Sequence, residues 1–146
     1  MKSKILIIVG FLLWTTCSFA QIKRLEDAKN QAKQENKFIL LKFTGSDWCI
    51  PCMQLQENII NNSHFVDFAK DKLVILLADF PRHKKNQPSK ADQKDNEQLA
   101  EIYNPDGVFP QMVLLDSKGK VLYRWSGYDK KHSVQDYIDD INRSSK

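Results

Sequence analysis

The chain has 146 residues, of which 42% are apolar and 27% charged, with a formal net charge of +4 at pH 7. Such a composition fits one globular domain with a single core and excludes a disordered polar chain or a fibrous repeat. With 22 basic side chains against 18 acidic ones, it also gives no support for a nucleic-acid binder.

The first twenty residues stand apart from that domain. "MKSK" is a short basic stretch, "ILIIVGFLLW" an apolar run, and "TTCSFA" places Ser18 and Ala20 at the −3 and −1 positions of a cleavage site before Gln21. The run is shorter than the roughly 20 residues a membrane span needs. Residues 1–20 are therefore expected to be a signal peptide cut after Ala20, and residues 21–146 a single domain, periplasmic or secreted and not inserted in the membrane. Lipidation at Cys17 would want a leucine three residues earlier and Gly or Ala just before it, where Trp14 and Thr16 stand. Loss of Lys2 and Lys4 leaves 20 basic against 18 acidic side chains, and loss of Cys17 leaves Cys49 and Cys52 alone.

In the remaining chain, Leu25, Ala28 and Ala32 recur at helical spacing, predicting a helix that ends near Asn36. "KFILLKF" (37–43) reads as a mostly buried strand. After the break "TGSDW", a helix is expected from Ile50 to about Ile60, with Pro51 tolerated in its first turn. Ser63 reads as the N-cap of a further helix with Phe65, Phe68 and Ala69 on its apolar side. "KLVILLADF" is the clearest strand, its unbroken apolar centre suiting a parallel sheet interior. The polar stretch 81–98 reads as a solvated loop leading into a helix, with Asp95 and Gln98 as a capping box ahead of Leu99. "NPDG" is a turn, "QMVLLD" and "KVLYRW" around "DSKG" a hairpin. Ser133 opens a last helix with a stripe of Val134, Tyr137, Ile138 and Ile141. Helices alternating with strands in this order imply a three-layer α/β sandwich whose first two strands run parallel.

Between the first strand and its helix lies "WCIPC", Trp48 to Cys52. Two cysteines at this spacing can form a redox pair, part of a metal clamp or an inert disulfide. A disulfide closing so short a loop adds little stability through chain entropy. Zinc needs four ligands, and His64, His83 and His132 are scattered, none at ligand spacing from the cysteines. A soft-metal carrier using Cys49, Cys52 and Met53 is the metal alternative; no metal or cofactor is expected.

"WCIPC" resembles the WCGPC signature of the thioredoxin superfamily, with Ile50 in place of the glycine, and "GVFPQMVLLDSKGKVLYRWSGY" resembles that family's later segment. The likeness runs from about residue 37 to 141, and "GSDWC" with the polar stretch after "LLADF" is similar to exported members. It implies a thioredoxin fold, a central mixed β-sheet flanked by helices, and a cis peptide bond before Pro110. Two departures stand out. The family's buried aspartate falls on Lys42 or Phe43, depending on one extra residue, and its lysine after the second cysteine is Met53.

At a helix N-terminus within C-x-x-C, a thiol pKa falls from about 8.5 to roughly 3.5–7.5. Cys49 is therefore expected to attack a substrate disulfide, and Cys52, one turn on, to resolve the mixed disulfide. Trp48, Ile50 and Pro51 are expected to contact substrate, with Phe109 and Pro110 beside Cys49 offering backbone to an extended chain. Asp47 reads as a solvated loop residue. Lys42 either lies under the motif, favouring a thiolate, or reaches out to solvent. Loop 81–92 should rim the motif, because both parallel strands end on one edge, and its charge run reads as solvated surface.

The expected function is a thiol–disulfide oxidoreductase that reduces protein disulfides outside the cytoplasm. It would act as a monomer and draw electrons from a membrane thiol reductase. An isomerase or oxidase on the same fold is the alternative; a non-catalytic binding or metal-carrying module is the alternative from another class.

Overall fold

The computed structural model describes residues 22–145; the expected signal peptide, its cleavage site and Cys17 lie outside them. The fold is built on β1 (Phe38–Thr44), a central strand in which six of seven residues are buried. Its alternation sends Ile39, Leu41 and Phe43 into one apolar cluster and Leu40 into another, so the two clusters lie on opposite sides of the sheet. Lys42 shares a face with Leu40 by the same alternation.

β1 pairs parallel with β2 (Leu73–Asp79), in register from Phe38↔Leu73 to Thr44↔Asp79. It pairs antiparallel with β3 (Gln111–Leu115), which pairs in turn with β4 (Val121–Ser126), giving the order β2-β1-β3-β4. The parallel first pair is the one expected from the order of elements, and the mixed sheet is the one the family resemblance implies.

Helix α1 (Lys23–Glu35) lays Leu25, Ala28 and Ala32 on the first cluster and stops at Asn36. Asn36 adopts a left-handed backbone (φ 53°) and donates its N–H to the Ala32 carbonyl, the role asparagine fills at helix ends in place of glycine. Helix α2 (Ile50–Leu55) continues as a single π-helical turn, Gln56–Ile60, where an uninterrupted α-helix is expected from the sequence. The wider turn is closed by the Asn61 N–H to the Gln56 carbonyl at 2.8 Å and leaves Leu55 and Ile59 both buried. Helix α3 (Ser63–Lys72) is capped by the Asn62 side chain, one residue before the serine expected to cap it.

Helix α4 (Lys90–Tyr103) begins five residues before the expected capping box. Ser89 is its cap, accepting the Asp92 N–H while its hydroxyl donates to the Asp92 carboxylate. The missed turn has a physical reason. Its inward residue is polar: Asn96 is buried, donating to the Asp79 carbonyl at 2.8 Å and accepting from Arg24 at 2.7 Å. Hydrogen bonds to β2 and α1 replace the apolar stripe that periodicity detects.

Helix α5 (Val134–Ser144) starts at the expected Ser133, with a capping box completed by Asp136. It also buries Asp140, whose carboxylate accepts from the Trp125 indole (3.0 Å), is bonded to the His132 ring (2.9 Å) and pairs with Arg143. Replacing Asp140 with Ala leaves the buried Trp125 N–H without an acceptor. The expected loss is about 1–3 kcal/mol, read as a lower urea midpoint at unchanged slope.

Candidate active site

Cys49 is the N-cap of α2, and its sulfur accepts the Cys52 N–H at 3.3 Å. The pair is present as the Cys49–Cys52 disulfide, and both residues are almost fully buried. Pro51 sits in the first helical turn, where a missing N–H costs nothing because that donor has no intrahelical partner. Ile50 and Met53 point outward, 66% and 43% exposed, an apolar surface directly against the sulfurs.

A tight turn brings the chain from β1 to the cysteines. The Cys49 N–H returns to the Gly45 carbonyl at 2.9 Å. The indole of Trp48 folds back over Gly45 so closely that an added Cβ would lie 2.2 Å from the ring. There the ring donates its N–H to the Phe80 carbonyl (2.7 Å) and meets the edge of Phe109, whose ring also contacts Phe80. Three aromatic rings thus join the motif, the end of β2 and the segment before β3. The Arg82 guanidinium covers the indole at 4.1 Å.

The Phe109–Pro110 bond is cis, and Pro110 is buried. Asn104 sets the approach to it: its side chain both donates to the Val108 carbonyl and accepts the Val108 N–H, each at 2.9 Å. The Trp48–Phe109 contact places this segment beside the residue preceding Cys49.

On the other side of the motif, a cleft of about 390 Å³ is lined by Cys52, Met53, Lys42, Thr44, Gln56 and Asp79 among others. Lys42 is 6% exposed and its ammonium donates to the Gln56 side chain. Burial pushes its amine below the ordinary lysine range, against the opposing pull of the Asp79 carboxylate. Of the two places left open for Lys42, it takes the one under the motif. Phe43, the other residue aligned with the family's aspartate, lies in the core cluster on the far face of the sheet.

Asp47 is not the free loop residue expected from the sequence. It accepts the N–H groups of Arg82 (2.8 Å) and His83 (2.9 Å) and the Asn86 amide (2.9 Å). Burial works to raise its carboxyl, but these donors outweigh it and bring the pKa down to about 2. Only its place beside the motif hinted at this role, because the donors come from 35 or more residues away. The histidines remain apart: His64 on α3, His83 against Asp47, His132 on Asp140.

A family model for a thioredoxin-like domain matches residues 25–142. The chain belongs to this thioredoxin-like family. It is 42% identical over 98 residues to the disulfide bond reductase DsbH of Chlamydia pneumoniae, a stretch covering 67% of this chain and 57% of that protein. It is 24% identical over 99 residues to the thioredoxin-related protein DsbJ of the same organism, covering 68% and 28%. The chain thus spans about half the length of the first of these curated relatives and less of the second. Among solved structures, a DsbH oxidoreductase superposes with a TM-score of 0.71 at 32% identity, over 80% of this chain and 78% of that one. The thioredoxin fold expected from the sequence is therefore the fold of this chain.

Two outcomes check the thioredoxin-like site's geometry. Gly45→Ala should drive the indole off Phe80 and Arg82, shifting Trp48 fluorescence and costing about 1–3 kcal/mol, the usual penalty of overpacking. Asp47 contributes stability that is complete above its ordinary carboxyl range and is lost as pH falls from about 4 through about 2. Asp47→Asn should therefore flatten the acid limb of the stability profile over that interval, measured by thermal melts across pH.

Proposed function

We propose that this chain is an exported thiol–disulfide oxidoreductase that reduces protein disulfides. The observation that carries the reading is the Cys49–Cys52 disulfide at the start of α2, with the exposed apolar Ile50 and Met53 around it. The 42% identity to a disulfide bond reductase supports the reducing direction. Among the described residues no helix is long and apolar enough to cross a membrane. Residues 1–20 act as the signal peptide, cleaved after Ala20. The domain, residues 21–146, works as a periplasmic or secreted monomer, with a membrane thiol reductase as its electron donor.

In the reduced protein the Cys49 thiolate attacks one sulfur of the substrate disulfide. A Cys49–substrate disulfide forms, and the first substrate sulfur leaves as a thiolate that takes a proton from solvent. The Cys52 thiol then loses its proton and attacks the Cys49 sulfur. The intramolecular disulfide closes, and the second substrate sulfur departs with the electron pair. Substrate contacts are made by Trp48, Ile50 and Pro51, with the Phe109–Pro110 backbone running alongside. Lys42 supplies positive charge to the cleft that Cys52 lines, where the family has a carboxylate. A cation there favours the Cys52 thiolate and stabilises the reduced form over the neutral disulfide.

Equilibration in dithiothreitol or glutathione buffers tests the direction. A midpoint near thioredoxin's, about −270 mV, supports the reductase, whereas one near −120 mV makes the protein an oxidant. Absence of any reversible transition would sink the redox reading. Cys49→Ser should abolish reduction, and Cys52→Ser should accumulate the mixed disulfide, visible as an adduct on non-reducing gels. Lys42→Met should slow resolution at pH 7 by about tenfold, move the rate profile toward alkaline pH and make the potential more negative. An unchanged profile and potential would leave Lys42 without an electrostatic role.

A further inference from the structure

Segment 81–91 holds Arg82, Lys84, Lys85 and Lys90 and no acidic residue. A surface charge run of this kind is ordinarily free to move in solvent, but this one is fixed to the motif at three points. Asp47 holds the Arg82 and His83 backbone and the Asn86 side chain, the Trp48 indole bonds Phe80, and the Arg82 guanidinium lies on the indole face. The two residues doing the holding, Asp47 and Trp48, are those immediately before Cys49.

The manner of attachment matters as much as its place. Asp47, the carboxylate in contact with the loop, bonds two backbone N–H groups and an amide rather than any of the loop's cationic side chains. Among the described residues, no ion pair involves Arg82, Lys84, Lys85 or Lys90. Arg82, Lys84 and Lys85 are all exposed, and Lys84 and Lys85 begin a single 3₁₀ turn, Lys84–Asn86, closed by the Gln87 N–H to the Lys84 carbonyl at 3.2 Å. The loop is thus a held lip that presents the exposed, unpaired cations of Arg82, Lys84 and Lys85, three positive charges against the one carboxylate, Asp47, that anchors it. It borders a reaction centre whose exposed large side chains beside the cysteines, Ile50 and Met53, are apolar.

We propose that this lip is a substrate-selecting surface: it docks polypeptides with acidic side chains flanking the disulfide to be reduced. The inference rests on the oxidoreductase reading above and adds the class of substrate. Positive charge fixed at the rim of a reaction site raises the encounter rate of negatively charged partners by about 10-fold to 10³-fold, an advantage that salt removes. It also disfavours cationic partners at the same place.

The test compares reduction rates of the reduced protein with three disulfide-bridged peptides differing only in their flanks: aspartate, asparagine or lysine. Hydroxyethyl disulfide, small and neutral, reports the sulfur chemistry alone. At low ionic strength the aspartate-flanked peptide should react about tenfold or more faster than the lysine-flanked one, converging near ~0.5 M salt, where the screening length falls to a few ångströms. In the double variant Lys84→Glu/Lys85→Glu the order should invert, with the hydroxyethyl disulfide rate unchanged. Equal peptide rates alongside normal reduction of hydroxyethyl disulfide overturn the lip and leave the oxidoreductase reading intact. Selectivity that persists in the double variant overturns it as well, by assigning the effect to another surface. Failure to reduce hydroxyethyl disulfide removes the oxidoreductase reading and the lip with it.

Discussion

The parallel pairing of β1 with β2 is the constraint from which the site follows. Because Thr44 stands opposite Asp79, the two strands finish side by side, and the Phe80 N–H to the Thr44 carbonyl (2.9 Å) extends the pairing one step further. Whatever follows each strand must then emerge from the same edge. After β1 comes the turn into the cysteines; after β2 comes the basic loop. Trp48 can reach Phe80, and Asp47 can reach Arg82 and His83, only because this register brings them together. A slip of one residue would turn Lys42 to the core face occupied by Phe43 and dismantle both sides of the motif.

The motif is asymmetric. Around Trp48 the surroundings are aromatic, with Phe80 and Phe109 packed edge to face and the cis-proline segment held by Asn104. Toward Cys52 they are polar, with Lys42, Gln56 and Asp79 around one cleft. An apolar wall suits exclusion of water from a sulfur that must meet another sulfur. A cleft with a buried cation suits control of where negative charge settles once the disulfide opens. That division matches the different tasks assigned to the two cysteines.

Much of this was legible in the sequence. The apolar runs at 38–44 and 73–79 announced the two parallel strands, Ser133 with its following stripe announced α5, and "WCIPC" announced the site. What escaped has a common character: polar side chains held by hydrogen bonds and ion pairs rather than by apolar packing. Asn96 starts α4's inward face without an apolar residue, Asp140 gathers Trp125, His132 and Arg143, and Asp47 gathers the loop that follows the neighbouring strand β2. Periodicity measures apolar recurrence and is blind to these. Lys42 could not be placed for a related reason. A lysine at a strand end satisfies the pattern equally by snorkelling or by burial, and only the position of Gln56 on the π-helical turn decides between them.

Of the three donors that Asp47 receives, two are main-chain N–H groups. Any residue except proline provides such a donor, so the attachment of the loop is largely indifferent to which side chains the loop carries. The tether and the surface it presents are therefore separable under mutation. Relatives keeping an aspartate before the tryptophan can alter the size, charge or shape of this segment step by step without losing its place beside the cysteines. Within this arrangement, the reacting sulfurs are a fixed part and the rim a replaceable one, so that one reaction can be redirected to new partners through drift in the rim's exposed positions.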